Sequence, residues 1–123
     1  MNENLSRAIA SKSSAIDFEA GLKNCADDEE LFQQMLSDFV SDHSGDYDKI
    51  KAALDEGESK TAQRLAHTLK STATLIGAKD LASAALVIEL AASKDYLIDW
   101  SLMDDLKDEC QRVNKELKRM TVR

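Results

Sequence analysis

The sequence predicts an all-α protein, an antiparallel four-helix bundle with a short additional N-terminal helix. Three observations carry this. Proline is absent and glycine occurs only four times in 123 residues, so little interrupts helical backbone. Ala, Leu, Lys, Glu and Asp are abundant. Apolar residues recur at spacings of three and four along most of the chain. The 43% apolar content suffices for one core at this length, which predicts one domain over 16–121 behind a flexible arm over 1–15, where apolar periodicity is weak.

Each element has its own signals. "IDFEAGLKNCA" suggests a short helix from about Asp17, with Phe18, Leu22 and Cys25 on one side. Asp27 followed by Glu30 resembles a capping box that opens the next helix. From there Phe32, Leu36, Phe39, Val40, Tyr47, Ile50 and Leu54 stay in phase across "SDHSGDYDK". This continuity predicts one long helix to about Glu56, with Gly45 as the place for a bend. Gly57 can stop it and Ser59 can cap its successor, a link short enough to force an antiparallel pair. The following helix is predicted over Lys60–Ile76, stopped by Gly77. "AKDLASAALVIELAASK" is apolar nearly all round and should touch several neighbours. "DYLIDW" breaks the pattern, Ser101 with Asp104 can cap a restart, and Leu102, Leu106, Cys110, Val113, Leu117 and Met120 form the last stripe.

Charge and composition exclude several classes of function. A net charge of −7 repels nucleic acid and anionic lipid,. No apolar run approaches the roughly 20 residues of a membrane span and residues 1–15 lack a signal-peptide core, so a cytoplasmic protein is expected. Cys25 and Cys110 are too few and too far apart for a disulfide framework, a redox CxxC or a zinc site, and both read as packed or surface thiols. Between Ser59 and Lys79 the charged residues are Lys60, Arg64, Lys70 and Lys79, with no acid among them.

That basic segment holds "HTLKSTATLIGA". Ala62, Leu65, Ala66, Leu69, Ala73 and Ile76 share one helix face, and His67 points roughly 140° away from its centre. Its neighbours Gln63, Arg64, Lys70, Ser71 and Thr74 are all polar. His67 therefore faces water, as a reactive group or as an ordinary solvated side chain. His43 lies in phase with Leu36, Val40 and Tyr47 and reads as a half-buried structural histidine. With two cations and no acid or thiol among its helical neighbours, His67 is a poor metal ligand. A serine-hydrolase site is disfavoured too: no acid on this face orients the imidazole, although Ser71 is one turn away. A cationic setting suits capture of an anionic group: a neutral imidazole is a nucleophile toward phosphorus, and Lys70 and Arg64, one turn either side, disfavour the imidazolium and stabilise an added phosphoryl charge. Small side chains at Ser71 and Thr74 leave room for a partner. These features point to a phosphohistidine.

The stretch "RLAHTLKSTATLIGAKDLASAALVIE" resembles the signature of histidine-containing phosphotransfer (HPt) domains, and "IDFEAGLKNCADDEELFQQMLSDF" resembles their N-terminal half. The resemblance covers about residues 16–120. It implies a phosphocarrier with no kinase or phosphatase activity of its own, carrying phosphate from a receiver-domain aspartate to another receiver-domain aspartate. His67 would be the phosphoacceptor, Lys70 its cation, Ser71 the small neighbour and Gly77 the helix stop. Ser71 stands where the family usually has glycine. The implied partners are the receivers of a hybrid sensor kinase and a response regulator. The chain is expected to be a monomer without a cofactor, Mg2+ residing on the receiver. Lys60, Arg64, Gln63, Lys70, Thr74 and Lys79 would meet the acidic receiver, and Leu22, Leu31 and Met35 would add apolar contact. Two other readings stay open: a helical adaptor never phosphorylated, and the dimerisation region of a histidine kinase. The second would carry an acid directly after the histidine and a nearby proline, where this chain has Thr68 and no proline.

Overall fold

In the computed structural model, residues 15–94 and 98–121 are described, together with Glu3. The arm expected over 1–15 falls almost entirely outside them. The described residues form six helices and no strand: α1 (Phe18–Asn24), α2 (Glu29–His43), α3 (Asp46–Asp55), α4 (Ser59–Ile76), α5 (Lys79–Ser93) and α6 (Trp100–Thr121). With α2 and α3 as two halves of one arm, this is the expected four-helix bundle with α1 beside it.

The long second helix is interrupted at Ser44 and Gly45. Its apolar phase nevertheless carries through, with Phe32, Leu36 and Phe39 buried before the break and Ile50 and Ala53 after it. The interruption is spanned by a buried pair, His43 Nδ1 at 2.6 Å from Asp46 Oδ2. His43 also lies against the Phe39 ring. It is the structural histidine expected from its phase.

Helix ends follow the expected chemistry, three of them shifted in sequence. Asp17 caps α1 by accepting from the Ala20 amide. Asp28, not Asp27, caps α2 by accepting from the Leu31 amide, because Ala26 and Asp27 both take left-handed backbone to turn the chain. Ser59 is the first residue of α4 rather than its cap; the Glu58 carbonyl takes the Ala62 amide instead. For α6 the cap is Asp99, which accepts from the Ser101 amide. Its inward stripe includes Met103, while Leu102, Cys110 and Met120 are only partly buried.

The helix that carries His67 is the centre of the molecule: α4 packs on α5, α3, α1 and α2. Its Ala62, Ala66, Leu69, Ala73 and Ile76 are fully or nearly fully buried. Alanine at three of these positions lets neighbouring backbones come close. Its C-terminus is held by α1. Gly77 adopts φ +91°, the Asp17 amide donates to the Gly77 carbonyl at 2.8 Å, and Asn24 Nδ2 donates to the Leu75 carbonyl at 3.0 Å. A Cβ on Gly77 would run into the Asp17 carbonyl oxygen, so glycine is required by backbone angle and by contact alike.

Candidate functional site

Burial of the alanine and leucine stripe fixes the rotation of α4 and turns positions 60, 63, 67, 71 and 74 outward. The His67 side chain is 58% exposed, against 11% for His43. Two histidines in one small domain are thus separated by helix phase alone, as the sequence predicts.

The imidazole is nevertheless not surrounded only by cations. Glu89 of α5 places Oε2 at 2.7 Å from His67 Nδ1 and Oε1 at 3.0 Å from Lys70 Nζ. The Glu89 side chain is 14% exposed. Its Oε1 is buried and meets the ammonium as an ion pair, outside the angles of a hydrogen bond. Burial pushes the Glu89 carboxyl up, but the ion pair with Lys70 and the hydrogen bond to His67 outweigh this and hold it below the usual carboxylate value,. Glu89 is therefore ionised at neutral pH. An ionised carboxylate only accepts, so Nδ1 carries the shared proton, and in the neutral ring the lone pair is then on Nε2.

This corrects two expectations. An acid does orient the imidazole, supplied by the adjacent helix, and Lys70 is a half-buried, paired residue rather than a free surface cation. A hydrolytic triad still does not form, because the Ser71 hydroxyl donates to the His67 carbonyl at 3.0 Å. Among the described residues no third His, Cys, Asp or Glu joins His67 and Glu89 to make a metal-sized cluster.

The remaining candidate residues divide. Lys60, Arg64 and Thr74 are exposed and Gln63 half-buried, all on the outward side of α4. Thr74 donates to the Lys70 carbonyl. Lys79, the first residue of α5, is exposed but is tied to Asp17 at 3.1 Å, so less of the expected basic patch is free. Leu31 is 48% exposed. Met35 is half-buried, its sulfur 3.3 Å from Cys25 Sγ. Leu22 is buried at 7% exposure in the core with Phe18 and Cys25; it shares their face of α1 and offers no docking surface, contrary to expectation.

The family model of the Hpt domain matches residues 34–116, two-thirds of the chain. The chain belongs to the Hpt domain family. The match runs from within α2 into α6 and so contains His67, Lys70 and Glu89, while α1 and Leu31 precede it. A search of curated proteins and of solved structures found no match. Hpt domains are helical-bundle phosphotransfer carriers rather than autonomous enzymes, and they interact with receiver domains of two-component systems. In this Hpt domain, no helix among the described residues is long and apolar enough to cross a membrane.

Proposed function

We propose that this Hpt domain carries a phosphoryl group on His67 Nε2, taken from the aspartyl phosphate of one receiver domain and given to the aspartate of another, in a relay between a hybrid sensor kinase and a response regulator. The observation that carries this reading is the pairing of exposure with orientation: an outward imidazole whose Nδ1 is held by an ionised, largely buried carboxylate. In the forward step the Nε2 lone pair attacks phosphorus. The P–O bond to the donor aspartate breaks, and its electron pair leaves with the carboxylate. The ring becomes cationic as the N–P bond forms, and Glu89 stabilises that charge through the Nδ1 proton. Lys70, one turn along and paired with the other Glu89 oxygen, would offer its charge to the phosphoryl oxygens. The reverse step delivers phosphorus to the acceptor carboxylate and returns the electron pair to Nε2.

Ser71 and Thr74 keep the approach to His67 low, and Lys60 and Arg64 meet an acidic partner with complementary charge. Mg2+ belongs to the receiver in this reading, since Glu89, the carboxylate paired with His67, is already committed to His67 and Lys70. The domain acts as a monomer.

Incubation with a receiver phosphorylated with radiolabelled phosphate tests the assignment. Wild type and His43→Gln should take label that survives alkali and is lost in acid, as a P–N bond requires, while His67→Gln takes none. Labelling of His67→Gln, or binding of the receiver with no label in any variant, would overturn it.

A further inference from the structure

On the side of α5 away from His67, a groove of about 360 Å³ runs between α5 and α6. Its α5 wall includes Val87, which lies about 160° round the helix from Glu89, the residue that reaches His67. Ala84, Val87 and Leu102 give the groove an apolar lining, and Val87 is 42% exposed. Beside them stand Asp80 of α5 and Asp105, Asp108 and Glu109 of α6. One end already holds a cation of the chain itself. Arg112 Nη1 lies 3.6 Å from Asp80 and donates to both oxygens of Glu109, at 2.5 and 2.8 Å. Among the described residues no cation pairs with Asp105 or Asp108. The two helices run antiparallel, with Asp80 level with Arg112. Val87 therefore comes level with Asp105, about 10.5 Å further along.

We propose that this groove is a docking surface separate from the His67 face, and that its occupant is a basic amphipathic helix of a partner protein. Two independent features select that chemistry. The aliphatic seat at Val87 and Leu102 calls for an apolar side chain, which a small cation or a polyamine lacks. The carboxylates around the seat call for cations, and the Arg112 bridge from α6 to Asp80 shows that a guanidinium fits between the two helices,. The groove is about two helical turns long. It matches a helix that lays one apolar residue on Val87 and sets Lys or Arg one turn before and after, facing Asp105 and Asp108. Nucleic acid and anionic lipid are repelled by the same acids. The outward side of α4 carries Lys60 and Arg64 instead, so the two faces differ in sign and suit different partners,. A protein held by its basic helix between α5 and α6 leaves His67 open. Docking here is independent of what His67 does.

The probe is a synthetic helical peptide of about 15 residues, made of Lys, Arg, Leu and Ala with leucine on one face and cations one turn either side. It is titrated into the whole 15N-labelled chain and followed by NMR. Shifts should gather on Val87, Leu102, Asp105 and Asp108 and leave the His67 imidazole signals unmoved. Asp105→Asn/Asp108→Asn should weaken binding roughly tenfold, and Val87→Ser should weaken it as well. Asp42→Asn/Asp48→Asn removes the same charge from exposed positions on α2 and α3 and should bind as wild type does. Circular dichroism confirms that the variants fold, and Val87→Ala serves if Val87→Ser does not. An equal loss in the α2 and α3 variant, or equal affinity for spermine or for the peptide with alanine in place of leucine, would reduce the groove to a diffuse acidic patch and overturn the proposal. So would shifts centred on α2 or α4, or no shift at about 1 mM peptide. Movement of the groove signals with protein concentration alone would give the surface to a second copy of the chain and overturn it too.

Discussion

Replacing Glu89 by glutamine separates the role of its charge from the role of its shape. In the wild type Oε2 holds the Nδ1 proton at 2.7 Å and Oε1 holds Lys70 at 3.0 Å. The amide of Glu89→Gln fills the same volume and can still accept from Nδ1, but it brings no charge to the ring that becomes cationic in the transition state. A hydrogen bond to a charged group contributes about 1.5–3 kcal/mol and a neutral one about 0.5–1.5. The difference of about 1–2 kcal/mol corresponds to a rate loss of roughly 5- to 30-fold. Glu89→Ala should lose more, because it also frees the imidazole to change tautomer and rotate. One effect opposes this: Lys70, released from Glu89, could reach the phosphoryl oxygens more easily and speed transfer. Ring orientation and charge are the larger effect, because they act on the nucleophile itself. The assay is the rate of His67 phosphorylation by phosphoramidate, which needs no docking, with 15N NMR of the imidazole as an independent reading of the tautomer. Glu89→Gln reacting as fast as wild type or faster, or a wild-type ring protonated on Nε2 rather than Nδ1, would refute it.

Other predictions follow from burial and backbone. Leu69→Ala, at a fully buried position, should cost about 2–5 kcal/mol of stability. Lys70→Ala should slow phosphotransfer and cost about 1–2 kcal/mol, since it leaves a buried Glu89 oxygen unpaired,; its sequence position, read as exposed, predicts under about 0.5. Urea denaturation measures both, and equal losses would mean that α4 is rotated. Gly77→Ala combines left-handed backbone with a clash on the Asp17 carbonyl and should cost about 2–4 kcal/mol; a melting temperature equal to wild type would contradict the α1–α4 clamp. Asp17 is held below the usual carboxylate value by the Ala20 amide and Lys79, and Glu89 by Lys70 and His67 against the opposing effect of burial. Below the ordinary values of 3.8 and 4.5 the unfolded chain takes up protons first. Stability is thus full above that range and is lost as pH falls through the lower folded values, so the melting temperature should drop there, less steeply in Glu89→Gln. Burial pushes the Cys110 thiol up to about 12, with Asp46 and Glu109 adding to it, and burial also raises Cys25. Neither should react with a thiol reagent near neutral pH until denaturant is added, and rapid reaction of the native protein would show the packing to be wrong.

Much of this was legible in the sequence because the relevant physics is local. Helix phase separates His67 from His43, positions the stripe of α4, and carries across the break after His43. Caps were legible by type and misplaced by position, since Asp27 and Asp28 offer the same chemistry and only the left-handed turn at Ala26 and Asp27 decides between them. Met103 was missed because Leu102 satisfies the same spacing. Glu89 is the instructive omission. No single-helix argument finds it, because it meets His67 only through the register of α4 against α5. Two signals do point to it: it is the sole charge in the apolar run "LASAALVIELAAS", and it stands about as far after the Gly77 turn as His67 stands before it. In an antiparallel hairpin those positions come level. Leu22 was misassigned for the opposite reason. Its place on the face of Phe18 and Cys25 marks it as core, and that helix phase outweighs its closeness in sequence to the apolar surface expected near His67.

The central claim is that phosphate rides on Nε2 of His67 while Glu89 holds Nδ1. The most direct measurement is 31P–15N NMR of the chain uniformly enriched in 15N after phosphorylation by a phosphorylated receiver. The account predicts one phosphohistidine whose phosphorus couples to Nε2 of His67, with Nδ1 still protonated. Phosphorus coupled to Nδ1, or carried by His43 or by any residue other than His67, would contradict it.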